Sequence, residues 1–348
     1  MTTRWSTHDV LEQVGPVAVA PGEVRRGTLR AGIADVPLVV FGGTAPGPVL
    51  YVQALQHGLE LNGVEVMRRL VTTLDARALH GTLILVPMAN TLAARVHMQS
   101  YPYPDRPSER RLNDMNRRWR APVGGENHVD RVVAALEPLV RLADVVIDLH
   151  CHEYLYTPMG MSDARDACCR ELVLAAGFDV VHSGAGTDGM FDRYCREVLG
   201  KPNVTIEMPP LRRVDPRTSA IGFRGVLNMM RHLGMLEGKP ELPRRMLIYG
   251  TGAGKSQSFK AEREGFMARF AEPGQEVKAG DLAAEIWSPD TFEPVQPIRA
   301  PFDSFVTSIG RPPHLWGDPE QDFINIGEHA VSFSVPGEIV DPAKELGA

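Results

Sequence analysis

Residues 47–66 read GPVLYVQALQHGLELNGVEV, and the change of rhythm inside this stretch decides the fold. Val49 to Ala54 is a short apolar run with glycine and proline before it, which predicts a strand. Asn62 to Leu74 then carries Val64, Met67, Leu70 and Val71 at helical spacing. The polar loop between them holds His57 and Glu60. Strand, loop and helix in this order form one unit of an alternating α/β chain.

The same alternation continues on either side. Val36 to Phe41 and Thr82 to Pro87 read as strands, Val129 to Ala143 as a helix, and Val145 to Leu149 as the strand after it. Cys169 to Ala176 predicts a helix, Val204 to Glu207 a strand and Gly222 to Leu236 the last helix of this unit. The polar, proline-bearing segment EGKPELPRR follows and reads as a linker. From Met246 onward, short alternating runs are separated by turns such as Glu272-Pro-Gly-Gln and Lys278-Ala-Gly-Asp. The expected division is therefore a catalytic α/β domain over 1–240 and a smaller all-β domain over 241–348.

The bulk numbers narrow the function classes. Of 348 residues, 43% are hydrophobic and 23% charged, which is ordinary globular composition with a sizeable core. A net charge of −6 with interspersed signs gives no surface for nucleic acid or an anionic membrane. The start, MTTRWSTHDV, has no secretory apolar core, and no apolar run approaches the roughly 20 residues of a membrane span. Cys151, Cys168, Cys169 and Cys195 form no CxxC pair, as expected of reduced, buried thiols. The chain reads as soluble and cytoplasmic.

Four chemistry-bearing residues share one context. His57 and Glu60 follow a predicted strand, His150 ends VVIDLH, and Glu207 ends VTIE. In open α/β sheets ligands bind beyond the carboxyl ends of strands, so residues distant in sequence converge there. Two histidines and a carboxylate form a usual catalytic zinc set with one position left for water. A second carboxylate can take the proton from that water. Asp148, two residues before His150, is placed to orient a ligand. At this level His152 and Glu153, beside His150, remain alternatives for the third ligand.

The stretches GPVLYVQALQHGLELNGVEV, LVPMAN, LNDMNRRW, VVIDLH and NVTIEM occur in one order over Gly47 to Met208. In this they resemble the succinylglutamate desuccinylase/aspartoacylase family, a branch of the zinc-carboxypeptidase fold. The resemblance implies a mixed sheet flanked by helices, with a C-terminal β domain. It also implies that His57, Glu60 and His150 bind one Zn2+ and that Glu207 is the general base. Asn116 and Arg117 match the pair that holds a substrate carboxylate, a task suited to arginine's planar fork. An arginine upstream polarises the scissile carbonyl in such enzymes. Arg106, Arg110 and Arg111 compete for that place, with Arg106 preferred.

Two departures bear on the substrate. Gly58 and Leu59 stand between histidine and glutamate, where a small residue and an acid or asparagine are commoner. Arg118-Trp119-Arg120-Ala121 replaces the usual proline-glycine. The expected activity is removal of an acyl group from a small N-acyl amino acid or related amide, by a homodimer. The alternatives are a metallocarboxypeptidase and a non-catalytic zinc-binding homologue. GTGAGKS, at 250–256, lacks the first glycine of a phosphate loop, since Tyr249 stands there. The turns near 272–282 resemble biotinyl/lipoyl-like domains, yet the tip SPDTFEPVQP has no lysine to modify.

Overall fold

The computed structural model describes residues 5–101, 113–120, 127–152, 156–250, 254–310 and 322–347. A ten-stranded mixed sheet organises the larger part. From one edge its strands are Glu338–Val340, Met246–Tyr249, Val180–Ser183, Met159–Ser162, Asn203–Glu207, Val145–His150, Ala45–Ala54, His80–Val86, Ala34–Gly42 and Val24–Ala31. The centre is parallel: Ala45–Ala54 pairs in parallel with both His80–Val86 and Val145–His150, and Val145–His150 with Asn203–Glu207. These strands carry apolar side chains on both faces because helices cover both.

Strand parity sorts their side chains into two cores. Leu50, Val52, Ala54, Val145, Ile147, Leu149, Val204 and Ile206 point to one face, under the helices Leu61–Thr73 and Pro216–His232. Val49, Tyr51 and Val146 point to the other, under His128–Leu142 and the Phe191–Cys195 segment. The alternation leaves Gln53, Asp148, His150 and Glu207 on this second face. The register joins them, with Gln53 opposite Asp148 and Glu207 opposite His150.

Local chemistry sets the helix ends. Asn127 and Asp130 form a reciprocal capping box at the start of His128–Leu142. Asp166 caps Ala167–Ala176, which ends at Gly177 in the left-handed region. The last large helix begins at Pro216, not Gly222 as the apolar spacing predicts. Asp215 accepts hydrogen bonds from the amides of Arg217 and Thr218, and Pro216 occupies the first turn. Leu61–Thr73 differs, since Glu60 occupies the cap position without a side-chain cap bond. Its carboxylate is engaged elsewhere.

The chain beyond residue 241 contributes to two structures. Met246–Tyr249 and Glu338–Val340 complete one edge of the large sheet. Between them, two four-stranded antiparallel sheets enclose a separate core that includes Met267, Ile286, Ile298, Val306, Val331 and Phe333. Phe305 leaves that unit to join Met159, Val180 and Leu247 of the large sheet. No helix among the described residues is long and apolar enough to cross a membrane.

Candidate metal centre and its surroundings

His57, Glu60 and His150 are buried and come together at the carboxyl ends of the central strands. One potential ligand atom from each lies within 4.8 Å of the others. His57 Nδ1 is 2.7 Å from Glu60 Oε1, and His150 Nδ1 is 2.9 Å from Glu60 Oε2. The second contact lacks hydrogen-bond alignment, leaving Glu60 Oε2 buried without a hydrogen bond. Both rings thus present the same nitrogen to one carboxylate.

Their opposite nitrogens are also held alike. His57 Nε2 is 3.0 Å from Asp114 Oδ1, and His150 Nε2 is 2.7 Å from Asp148 Oδ2. Outer carboxylates of this kind fix ring orientation and raise the basicity of histidines that bind metals. Asp148 is anchored in turn, accepting from Gln53 Nε2 at 3.1 Å and Gln56 Nε2 at 2.6 Å. Tyr51 donates to Gln53 Oε1, and the Trp119 indole donates to Gln56 Oε1 at 2.7 Å. The network is closed by side chains far apart in sequence.

The electrostatics favour a cation at the centre. Burial opposes charge on His57, but Glu60 and Asp114 outweigh it and push its pKa up to about 9. His150 is raised well above its ordinary value because Asp148 and Glu60 overcome the same burial. Burial alone would raise Glu60, yet the two histidines hold it below the usual carboxylate range. Without a metal, the carboxylates therefore draw protons onto both rings. A divalent cation can take the place of those protons, and the donor set of two imidazoles and one carboxylate fits it.

Glu207 stands opposite His150 in the register, and its Oε2 is buried without a hydrogen-bond partner. Burial pushes its carboxyl up, against the pull of His152, whose Nε2 lies 3.4 Å from Glu207 Oε1. His152 is thus beside Glu207 and outside the three-residue metal group. Cys151 is buried, and burial raises its thiol well above the ordinary value.

Asn116 and Arg117 lie in a short turn capped by Asp114, which accepts from the Asn116 amide at 2.9 Å. Asn116 Oδ1 accepts from the Phe191 amide at 2.9 Å, so its NH2 group is left as the directional donor. Arg117 is half-buried, and its Nη1 donates to Asn116 O. Arg106, Arg110, Arg111 and Glu153 lie outside the described residues.

Both departures have structural reasons. A Cβ on Gly58 would come 2.3 Å from the Ala93 carbonyl carbon, where backbone leaves no room. Arg118 makes paired 2.7 Å bonds to Asp130, and Trp119 packs 4.2 Å from the Phe191 ring. Sequence reading missed Asp114, Gln53 and Gln56 as supports. Their positions in LNDMN and VQALQH gave the only signal, because what makes them matter is a partner over 50 residues away.

Residues 46–233 match the model of the succinylglutamate desuccinylase/aspartoacylase catalytic domain. A curated relative, N-alpha-acetyl-L-2,4-diaminobutyric acid deacetylase of Halomonas elongata, is 24% identical over 253 residues, 69% of this chain and 71% of that protein. Among solved structures, the product-bound ectoine utilization protein EutE (DoeB) of Ruegeria pomeroyi superposes with a TM-score of 0.72 at 22% identity, covering 96% of this chain and 100% of the other. A succinylglutamate desuccinylase from Silicibacter sp. TM1040 gives 0.71 at 23% identity, with 97% and 99% covered. At these identities the structures show a shared fold.

Proposed function

The chain belongs to the succinylglutamate desuccinylase/aspartoacylase family, and from that premise we propose that it is a zinc-dependent deacylase of small N-acyl amino acids. The observation that carries the proposal is the convergence of His57, Glu60 and His150 beside Glu207, whose Oε2 is buried without a hydrogen bond. The deacetylase relative supports amide hydrolysis as the reaction class.

In this reading His57, Glu60 and His150 hold zinc, which when bound acidifies a water and draws charge from the amide carbonyl. Glu207 accepts a proton from the attacking water. Its raised pKa, caused by burial, then lets it hand that proton to the departing amine. Asn116 and Arg117 grip the carboxylate of the amino-acid half, and that grip sets the amide's position. Arg106 is the proposed partner of the carbonyl oxygen. Residues 1–240 supply this machinery, and 241–348 brace it.

Elemental analysis of wild type and His57→Ala, beside turnover of N-acyl amino acids by Glu207→Gln, tests the proposal. About one zinc per chain is expected, lost in His57→Ala. Glu207→Gln should keep zinc and lose turnover by at least about a hundredfold. Wild type without metal, or a fully active Glu207→Gln, would refute it.

A further inference from the structure

Trp119 lies two residues beyond Arg117 and is almost completely buried. Its ring packs 4.2 Å from Phe191 and 6.1 Å from Tyr194, and its amide donates to Gly189 O at 3.0 Å. Packing alone would be met by any large ring. An indole adds one donor and no acceptor, and a buried donor needs a partner. That partner is Gln56 Oε1, 2.7 Å away.

Gln56 is fully buried and stands immediately before His57. With its oxygen held by the indole, its amide nitrogen donates to Asp148 Oδ2 at 2.6 Å. The same oxygen of Asp148 lies 2.7 Å from His150 Nε2, while His150 Nδ1 faces Glu60. With Nδ1 turned to the metal centre, Nε2 carries the ring proton, so Asp148 Oδ2 accepts from His150 and Gln56 together. Trp119, Gln56, Asp148 and His150 are all buried. Removing the indole N–H would leave Gln56 Oε1 a buried acceptor without a donor, which is costly. Turned over, the amide would set its oxygen against the Asp148 carboxylate, acceptor against acceptor.

The other histidine is supported from the same turn. Asp114, which caps Met115–Arg117, lies 3.0 Å from His57 Nε2. Residues 114–119 therefore carry supports for both histidines, with Asn116 and Arg117 between them. We infer that Trp119 is a positioning residue for the metal centre: its indole N–H fixes the Gln56 amide and, through Asp148, the ring of His150. This rests on the deacylase reading and deepens it. The carboxylate clamp and the His150 ring are thereby held in one frame, so substrate and centre keep a fixed separation.

Trp119→Phe keeps a large ring and the backbone bond to Gly189 but removes the donor. Zinc affinity is measured by chelator competition in wild type, Trp119→Phe, Gln56→Met and the double variant. Trp119→Phe should weaken zinc binding by about three- to tenfold, and Gln56→Met by about tenfold. In the Gln56→Met background the second change should add less than about twofold, because the amide it fixes is gone. A packing role would cost the same in both backgrounds; that result, or wild-type affinity in Trp119→Phe, overturns the inference. Gln56→Met leaves the indole in place, so wild-type affinity there overturns it even if Trp119→Phe fails to fold. At saturating zinc, Trp119→Phe should lower kcat for N-acyl amino acids by about threefold or more, with KM within about twofold. A loss confined to KM would place Trp119 in the clamp alone and overturn the link to His150. If the zinc affinities follow this pattern while no amide is hydrolysed, the positioning role stands and the deacylase reading falls. If wild type hydrolyses the amides and Trp119→Phe matches it in zinc affinity and kcat, the positioning role falls and the deacylase reading stands.

Discussion

At the scale of single residues, the site is a pair of near-equivalent halves hinged on Glu60. Each histidine turns Nδ1 to Glu60 and Nε2 to an outer carboxylate, but the outer carboxylates are anchored differently. Asp114 is fixed by one backbone amide, whereas Asp148 is fixed by two buried glutamines. Replacing Asp148 by Asn puts an NH2 group where Gln56 now donates, so the ring loses its orienting partner and the network loses its acceptor. Asp148→Asn should weaken zinc binding by about ten- to a hundredfold in chelator competition, and more than Asp114→Asn does. Equal affinity in all three proteins would deny the carboxylates an orienting role. On the substrate side, Arg117→Ala should raise KM for N-acyl amino acids by about tenfold or more while kcat falls less, because it removes a charge-assisted contact to the carboxylate. An unchanged KM would take Arg117 out of the clamp.

At the scale of elements, the loop joining Ala45–Ala54 to Leu61–Thr73 does most of the positioning. It delivers His57 and Glu60 within four residues and gives up a side-chain cap on the helix, since the cap-position glutamate faces the histidines. Gly58 keeps this loop against the Thr91–Arg95 helix, with Ala93 O and Ala94 N each 2.5 Å from where a Cβ would be. Backbone cannot yield as a side-chain tip can. Gly58→Ala should therefore cost about 1–3 kcal/mol in urea unfolding of the metal-free protein and also weaken zinc binding. Wild-type values for both would show that the loop has room to move. The same loop shows what a sequence reveals. Its strand and helix were readable because burial on a fixed period leaves an apolar signature, as it does in Val145–His150 and Asn203–Glu207. The convergence of His57, Glu60 and His150 followed from their places at strand ends. Gln53, Gln56 and Asp114 carry no periodic signal, and their role exists only once strands from distant segments lie side by side. Met159–Ser162 and Val180–Ser183 show no such signature, since MGMS and VVHS are short and broken by glycine, serine or histidine. The start of Pro216–His232 was legible in Asp215-Pro216 but was outweighed by the later apolar spacing.

At the scale of the whole molecule, the β unit near the C-terminus is stitched into the catalytic sheet. Met246–Tyr249 leads into it and Glu338–Val340 leads out, both as strands of the large sheet. Between those stitches, Phe305 is the chief apolar anchor, packed with Met159, Val180 and Leu247 and lying 5.4 Å from the Tyr249 ring. Met159 is the register partner of Glu207 in the adjacent strand, so this anchor sits one strand from the proposed general base. The anchor and the base share a sheet face, and a cavity beneath Met159 would loosen the strand that borders Glu207. Phe305→Ala removes a fully buried aromatic ring and should cost about 3–5 kcal/mol of stability. It should also lower kcat more than zinc content, because the proposed metal ligands lie on the 55–60 loop and on Val145–His150 while Glu207 loses its support. Thermal unfolding, zinc analysis and steady-state kinetics on the one variant separate the possibilities. Unchanged stability would mean that Phe305 is not the anchor. Reduced stability with full kcat would mean that the β unit clamps the fold without bracing the base.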